Sequence, residues 1–279
     1  MAIKLDDLLR DAVASPPTLY LKLQNAIKDP DTTYGEFADI ISADIAFAAR
    51  LLRIVNSSFY SFSSRIDSIS HAVNIVGTDR LADLALAALV IEKFKGIPAD
   101  LIKMNSFWKH SIGCGLAAKI IAQHKKMTRI ERYYLGGLLH DIGSLLLYKE
   151  APVVSRMLLS EAGQDQKNLF AVEKEHLGFD HAEVGGTLLE RWGLPEILSN
   201  SAKFHHNPMN GENHSLAVSI IHVADIIAHE MDLGSSGEPL APHLAPDILD
   251  DIGLSQSDLD IFKDEINKQF GETVEVFLA

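Results

Sequence analysis

Apolar residues recur at helical spacing along almost the whole chain, and this periodicity constrains the fold more than any other feature. Residues 81–89, 116–121 and 184–189 each place apolar side chains three and four positions apart, the pattern of an amphipathic or buried helix. Strict alternation of apolar and polar residues is scarce, and only VEVFL at 274–278 resembles a strand. The sequence therefore predicts an all-α fold.

Two stretches rich in helix breakers divide this pattern. Residues 92–106 contain Gly96 and Pro98, and residues 232–247 are rich in Gly, Ser and Pro, which is typical of a linker or loop. We therefore expect an N-terminal helical subdomain over 1–100, a second helical subdomain over 101–230 and a C-terminal extension over 231–279. The extension carries 2 basic and 11 acidic groups, yet its apolar residues predict packed helices.

Composition excludes several classes of protein. The net charge of −13 with 47% apolar residues argues against a general binder of nucleic acids or anionic membranes. The single cysteine, Cys114, excludes an intrachain disulfide and a cysteine-rich zinc site. The start, MAIKLDDLLR, lacks a signal-peptide pattern, and the longest apolar run, 84–91, is too short to span a bilayer. We expect a cytoplasmic protein without nucleic-acid or membrane partners.

Histidine is concentrated in the second half of the chain. Eleven of the twelve histidines lie at or after His110, and histidine is the commonest metal ligand in proteins. The candidate ligands there are His110, His140, Asp141, His176, His181, His205, His206 and Asp225. Imidazole and carboxylate ligands together suit Fe, Mn, Ni or Zn. The lack of cysteine ligands favours an open site over a closed structural zinc site.

The adjacent His140 and Asp141 form the sharpest single feature. They follow apolar residues at 135–139, so the pair is expected at the end of an apolar helix and partly buried, where a charge needs a partner such as a metal. A histidine–aspartate hydrogen bond that closes the helix is the alternative. Asp225 lies within an apolar helical stretch at 220–227, where an unpaired carboxylate would be costly.

Several motifs occur together in a fixed order. They are DIAFAARLLRIVNSSFY (44–60), DSISHAVNIVGTDRLADLAL (67–86), FWKHS (107–111), GGLLHDIG (136–143), HAEVGGTLLERWGLP (181–195) and KFHHNP (203–208). Over roughly residues 15–215 this series resembles the HDOD domain, the HD-related output domain of bacterial signalling proteins, within the HD superfamily of metal-dependent phosphohydrolases. One departure is Asp44-Ile45, where the family usually has Asp-Pro. The resemblance implies a helical bundle packed on an HD-like helical bundle.

The resemblance also implies a set of metal ligands. His110, His140, Asp141 and Asp225 would hold a first divalent metal ion. A second would be held by His181 and by one or both of His205 and His206, with Asp141 bridging the two ions.

Two functions compete under this resemblance. Many HDOD proteins are regulatory modules without catalysis, which implies a module that binds a signalling protein or a small phosphorylated ligand. A residue stands at every ligand position here, so the alternative is an active phosphohydrolase on a nucleotide or phosphomonoester. Asp141 and either His205 or His206 would then be catalytic, the histidine as the acid. Cyclic-di-GMP phosphodiesterases of the HD-GYP type are disfavoured, because no Gly-Tyr-Pro follows the histidine pair.

Overall fold

The computed structural model describes residues 3–10, 15–60, 62–94, 96–209 and 215–278, and the regular structure of these residues is α-helical. The helices of the first third are α1 (Leu5–Leu8), α2 (Thr18–Lys28), α3 (Tyr34–Ser42), α4 (Ile45–Val55), α5 (Ile69–Val76) and α6 (Thr78–Lys93). The remaining helices are α7 (Met104–His124), α8 (Ile130–Leu139), α9 (Ile142–Glu150), α10 (Pro152–Asp165), α11 (Leu169–Leu177), α12 (His181–Arg191), α13 (Glu196–Phe204), α14 (Leu216–Glu230), α15 (Ile248–Asp251) and α16 (Gln256–Leu278).

This architecture confirms the all-α prediction and corrects one detail. The strand suggested for residues 274–278 is wrong, since α16 continues through Leu278. The buried side chains of Ile266, Thr273 and Phe277 follow helical spacing, and the short alternation at the end of the chain is incidental to it. The two predicted breaks coincide with the connections between α6 and α7 and between α14 and α15. No helix of the described residues is both long and apolar enough to cross a membrane.

Contacts divide the chain into two compact units. Unit 1 comprises residues 1–15 and 94–266, and unit 2 comprises residues 16–93 and 267–279. The end of α16 therefore belongs to unit 2, whereas the sequence placed all of 231–279 in one extension. The division into subdomains at residues 100 and 230 stays a prediction.

Unit 2 is built from short capped helices. A capping box begins α3, in which the Thr33 hydroxyl accepts the N–H of Glu36 and the Glu36 carboxylate accepts the N–H of Thr33. Asp44 caps α4 with a single bond, in which its carboxylate accepts the N–H of Phe47. The buried Arg50 donates from Nη1 to Glu92 at 2.7 Å and from Nη2 to the carbonyl of Phe277.

Unit 1 is arranged around α7. Fifteen of the 21 residues of this helix are buried, so it is enclosed by other helices rather than amphipathic. It packs against α8 and α14, and α12 packs against α9 and α13. The helices that carry the predicted ligands are therefore mutual neighbours.

Candidate metal centre

The predicted ligands come from five separate stretches of unit 1. His110 lies in α7, His140 and Asp141 lie between α8 and α9, His181 begins α12, His205 and His206 directly follow α13, and Asp225 lies in α14. The structure brings all seven of these side chains together in two adjoining groups. We call them the His/Asp cluster. Six of the seven residues are no more than 2% exposed.

A sharp break between α8 and α9 presents the central pair. Asp141 stands at the N-cap of α9, but its side chain accepts no capping hydrogen bond, so the carboxylate is available to the cluster. The start of α9 lies close against α12. A Cβ on Gly143 would collide with the carbonyl of His181 and lie 2.5 Å from the nitrogen of Gly185. This glycine therefore permits the approach that places Asp141 beside His181.

The first group consists of His110, His140 and Asp225. The Nε2 atom of His110 lies 3.0 Å from Asp225 Oδ1, and the Nε2 atom of His140 lies 3.5 Å from the same oxygen. Asp141 joins this group through Oδ2, which is 3.1 Å from His140 Nε2 and 3.8 Å from His110 Nε2. These are the four residues that the resemblance assigned to a first metal.

The second group consists of Asp141, His181, His205 and His206. The other carboxylate oxygen of Asp141, Oδ1, lies 3.3 Å from His181 Nε2 and 3.5 Å from His205 Nε2. His206 Nε2 lies 2.9 Å from His181 Nε2. Asp141 therefore faces one group with each oxygen, which is the position of a bridging carboxylate.

Hydrogen bonds at Nδ1 orient the imidazoles. His140 Nδ1 lies 2.6 Å from the carbonyl of Gly137, and His205 Nδ1 lies 2.8 Å from the carbonyl of Ala202. A carbonyl oxygen only accepts, so each Nδ1 carries the proton and donates. In the neutral ring this leaves an Nε2 lone pair directed at the cluster, which is the tautomer that a metal ligand requires.

Glu173 performs this orienting role for His181 and was missed by sequence reasoning. Its Oε2 accepts from both the backbone N–H of His181 at 2.8 Å and the ring Nδ1 at 2.6 Å. Metal-binding histidines commonly donate to a carboxylate in this manner. Glu173 lies among charged residues in α11, and only its 2% exposure distinguishes it, which no local pattern reveals.

The two carboxylates require compensating positive charge. Burial raises the pKa of Asp141, but the charge on His140 and the neighbouring imidazoles of His181 and His205 hold it well below its usual range. The pKa of Asp225 is also lowered well below its usual range, because the neighbouring imidazoles of His110 and His140 outweigh burial. Burial lowers the pKa of His140, yet Asp141 raises it well above the ordinary value. Protons on imidazoles and a metal ion are alternative sources of that charge.

Unpartnered atoms show that the cluster fits a cation. Five buried atoms that face one another lack a hydrogen-bond partner among the described residues, namely Nε2 of His110, His140 and His205 and Oδ1 of Asp141 and Asp225. Such atoms are costly unless something satisfies them. The ligand atoms within each group lie no more than 4.8 Å apart. The cluster can therefore hold a metal.

His206 connects the cluster to a cavity. Burial and the neighbouring His205 and His181 lower the pKa of His206 well below the ordinary value. Its ring stacks on Phe170, with centroids 4.3 Å apart and planes at 21°. A cavity of about 550 Å³ beside it is also lined by Lys174 and Lys203. Of the His/Asp cluster, only His206 is among the described residues that line this cavity.

The loop at 232–247 reaches the same side of the cluster. The carboxylate of Glu238 accepts the N–H of Leu169 at 2.8 Å and of Phe170 at 3.1 Å. One of its oxygens lies 3.9 Å from His206 Nε2. Burial raises the pKa of Glu238 to about 7. The loop prediction was right about the lack of helix, but it did not anticipate this buried carboxylate.

Three further histidines have different places. His222 donates from Nδ1 to the carbonyl of His205 at 2.6 Å and accepts the N–H of Ala245 at 3.2 Å, so it supports the cluster from outside. His229 Nε2 lies 3.7 Å from Asp225 Oδ1. His176, a candidate from sequence, instead lies 2.9 Å from Glu161 and is 36% exposed, and it is in neither group of the cluster.

Comparisons with known proteins agree with this geometry. The chain is 26% identical over 224 residues to a protein of Treponema pallidum (strain Nichols) that is named only as uncharacterized, covering 80% of this chain and 43% of the relative. The chain thus spans less than half the length of this curated relative. A crystal structure of a "Putative phosphohydrolase" from Shewanella amazonensis SB2B matches with a TM-score of 0.77 and 25% identity, over 98% of this chain and 96% of that one.

A second solved structure shares the fold. An HDOD domain protein of unknown function from Geobacter sulfurreducens matches with a TM-score of 0.76 and 24% identity, over 98% of this chain and 95% of that one. The family model described as the HDOD domain matches residues 13–208, which is more than half of the chain. The helical fold, the ordered motifs and this match lead to one conclusion: the chain belongs to the HDOD family.

Proposed function

We propose that this protein is a bacterial signalling module that holds divalent metal in its His/Asp cluster and binds a small phosphorylated ligand there. The observation that carries the proposal is the convergence of buried, unpartnered imidazole and carboxylate atoms from five stretches of the chain. A fold does not require such atoms, and leaving them unsatisfied is costly. Divalent metal satisfies them and also attracts phosphate oxygens.

Each group of the cluster has the ligands for one ion. His110, His140 and Asp225 would hold the first ion together with Asp141 Oδ2. Asp141 Oδ1, His181, His205 and His206 would hold the second. The donor set of imidazoles and carboxylates without thiolate suits Fe, Mn, Ni or Zn.

Enclosure of the cluster favours binding and signalling over rapid turnover. Six of its residues are at most 2% exposed, and Glu238 lies beside His206, the one member that lines the cavity among the described residues. A ligand that displaces this contact would change the surface of the module, and a signalling protein would read that change.

A metal-dependent phosphohydrolase is the second candidate. Two adjoining groups that share Asp141 favour it, because two-metal hydrolases use such an arrangement. The relative from Shewanella amazonensis with 25% identity carries a phosphohydrolase name. Bound metal would lower the pKa of a water molecule and stabilise charge on phosphoryl oxygens. In this candidate Asp141 would bridge the two ions, and whichever of His205 and His206 is not engaged by metal would give a proton to the leaving oxygen.

Metal analysis tests the proposal directly. Full-length protein purified without chelators is expected to contain one or two equivalents of Fe, Mn, Ni or Zn. The double variant His140→Ala, Asp141→Ala should lose it. The matched control is His176→Ala, which removes a histidine outside the cluster and should retain the metal. A metal-free wild type, even after reloading, would contradict the proposal.

A substrate panel then separates the two candidates. Metal-loaded protein is incubated with nucleotides, cyclic nucleotides and phosphomonoesters in the presence of Mn, Fe, Ni or Mg, and phosphate release is measured. Saturable binding without turnover supports the signalling module. Turnover that disappears in the double variant and persists in His176→Ala supports the phosphohydrolase.

A further inference from the structure

A closed helix end holds the backbone of His229, which lies in the last turn of α14. The N–H of Leu233 donates to the carbonyl of Ala228 at 3.1 Å, and the N–H of Asp232 donates to the carbonyl of His229 at 3.0 Å. Asp232 has φ of 53°, so this helix end has the bonds and the left-handed residue of a Schellman motif. The motif closes the last turn and fixes the position from which the His229 side chain extends.

Two glycines let this helix end lie close to His110 in α7. A Cβ on Gly113 would lie 2.8 Å from Cδ1 of Leu233, so the missing side chain makes room for the leucine. Gly234 has φ of 103°, a conformation that other residues rarely adopt. A Cβ on Gly234 would also collide with the carbonyl of Ser106 and lie 2.9 Å from the nitrogen of His110. The end of α14 is therefore packed against the turn of α7 that carries His110.

His229 faces the first group of the cluster from this position. It follows Asp225 by one turn of α14, and its Nε2 atom lies 3.7 Å from Asp225 Oδ1. The same oxygen lies 3.0 Å from His110 Nε2 and 3.5 Å from His140 Nε2. It has no hydrogen-bond partner among the described residues. Three imidazole nitrogens from three stretches of the chain therefore converge on one buried carboxylate oxygen.

The distances around this oxygen suit atoms that bind one ion. Bonds from a metal to imidazole and carboxylate are about 2.1 Å long, so two atoms on the same ion lie at most about 4.2 Å apart. The distances from Asp225 Oδ1 to the three Nε2 atoms all fall below that limit. His229 itself stands outside the first group, whose ligand atoms all lie within 4.8 Å of one another. Its ring must therefore move inward to join them.

The ring of His229 is spaced from the first group as the rings of the second group are spaced from one another. The ring centroids of His110 and His229 are 4.7 Å apart, and those of His110 and His140 are 5.4 Å apart. In the second group the three centroid distances run from 3.9 to 5.7 Å. The second group offers three imidazoles to its ion, whereas the first offers two unless His229 is included.

Exposure leaves His229 free to make the inward movement. Its side chain is 11% exposed, whereas the side chains of His110 and His140 are fully buried. A ring enclosed on all sides cannot shift without disturbing close-packed neighbours. A ring with one edge open to solvent has fewer such neighbours, so a small change of position costs little.

We infer that His229 is a third imidazole ligand of the first metal ion, and that its ring moves onto the ion when the ion binds. The inference rests on the proposed function, since it completes the ligand set of an ion proposed there. The donors of the first ion are then three imidazoles and one oxygen each of Asp141 and Asp225. Such a nitrogen-rich set favours Zn, Ni or Fe over Mn or Mg, which prefer oxygen ligands.

Nuclear magnetic resonance of the histidine rings tests this. Full-length protein labelled with nitrogen-15 in histidine is compared before and after saturation with zinc, because a ring nitrogen that binds zinc changes its chemical shift. Single His→Gln variants assign the signals of His110, His140 and His229. We expect Nε2 of His229 to take the shift of a zinc-bound nitrogen together with Nε2 of His110 and His140. Zinc-bound His110 and His140 beside an unchanged His229 would overturn the inference.

Metal affinity gives a second readout. His229→Gln retains a polar side chain but removes the imidazole. Changing even an outer-shell partner costs roughly 10- to 100-fold in metal affinity, so the affinity for one zinc ion should fall at least about tenfold. The preference for zinc over manganese should also fall. The matched control, His176→Gln, makes the same change outside the cluster and should behave as wild type.

Equal outcomes in these variants count against the inference. Zinc affinity and zinc preference in His229→Gln equal to those of His176→Gln would overturn it. If His229→Gln does not fold by circular dichroism, His229→Asn takes its place in both experiments.

The zinc spectra of wild type also separate the two proposals. No change at His110 and His140 contradicts the proposed first ion, and the ligand role of His229 with it. Zinc bound to His110 and His140 but not to His229 contradicts the ligand role alone.

Discussion

Units 1 and 2 both bury charged side chains, but they satisfy them differently. In unit 2 the guanidinium of Arg50 uses both terminal nitrogens, one on Glu92 and one on the carbonyl of Phe277. In unit 1 the facing atoms of His110, His140 and Asp225 have ion-pair contacts with one another but no hydrogen bond. Burial of charge is therefore common to structural and functional groups. What sets the His/Asp cluster apart is that several imidazole and carboxylate atoms without hydrogen bonds converge there, and this is the basis of its proposed function.

Among the substitutions in the His/Asp cluster, Asp141→Ala should reduce metal binding the most. The substitution removes the carboxylate that faces both groups, so metal content should fall to background. The loss in metal affinity should exceed the roughly 10- to 100-fold loss typical of changing an outer-shell partner. Metal is measured by mass spectrometry after gel filtration. Retention of a full equivalent of metal would show that Asp141 is not shared.

Arg50→Met provides the contrasting case in unit 2. It removes two hydrogen bonds and leaves the carbonyl of Phe277 buried, whereas Glu92 is half exposed and regains water. We expect a loss of about 1–3 kcal/mol in the free energy of unfolding, measured by urea denaturation. Metal content should remain that of wild type. A parallel loss of metal would remove the contrast between the units.

Glu173→Gln should weaken metal binding without abolishing it. The amide holds His181 less strongly than a carboxylate does, so a loss of about 10- to 100-fold in metal affinity is expected. Competition with a chelator measures it. The matched control is Glu175→Gln, an exposed residue of the same helix, which should leave metal affinity unchanged. Equal effects in both variants would reduce the role of Glu173 to general charge.

Metal affinity should rise with pH. The carboxylates of Asp141 and Glu173 raise the pKa values of His140 and His181 well above the ordinary value, although burial opposes this. In the absence of metal, the imidazoles of His140 and His181 therefore hold protons more strongly than usual, and a metal ion must displace these protons. Affinity should fall about tenfold per pH unit of acidification for each proton displaced. Calorimetry in buffers of different ionisation enthalpy counts these protons, and a count of zero would contradict the assignment.

The two capping boxes, one in each unit, should show the smallest effects on stability when they are removed, and only one of them should affect metal binding. Asp180 and Glu183 cap α12, which begins at His181, and Thr33 and Glu36 cap α3 in unit 2. Loss of either cap in Asp180→Ala or Thr33→Ala should cost about 1 kcal/mol in the free energy of unfolding. Only Asp180→Ala should also lower metal affinity, because the cap sets the position of His181. Chelator competition on both variants checks this, and equal metal affinity would separate the cap from the site.

Sequence patterns predicted much of this fold and most residues of the His/Asp cluster. Helical periodicity predicted the helices because each must bury an apolar face. The pattern failed at 274–278, where five residues are too few to distinguish strand from helix. The ordered motifs predicted that seven residues act as one set, and the structure places these residues together. They are His110, His140, Asp141, His181, His205, His206 and Asp225. Their role as metal ligands stays a prediction.

The sequence by itself determined the helical class, the family and the residue types available for a metal. The resemblance already implied that Asp141 serves both groups, and the tertiary structure supplied the distances. The tertiary structure alone decided that Glu173 orients His181. It also decided that Glu238, in a stretch expected to be a loop, lies buried beside His206. The physical reason is that hydrogen bonds and burial depend on distances between segments far apart in the chain. Periodicity and spacing report only on neighbours along it.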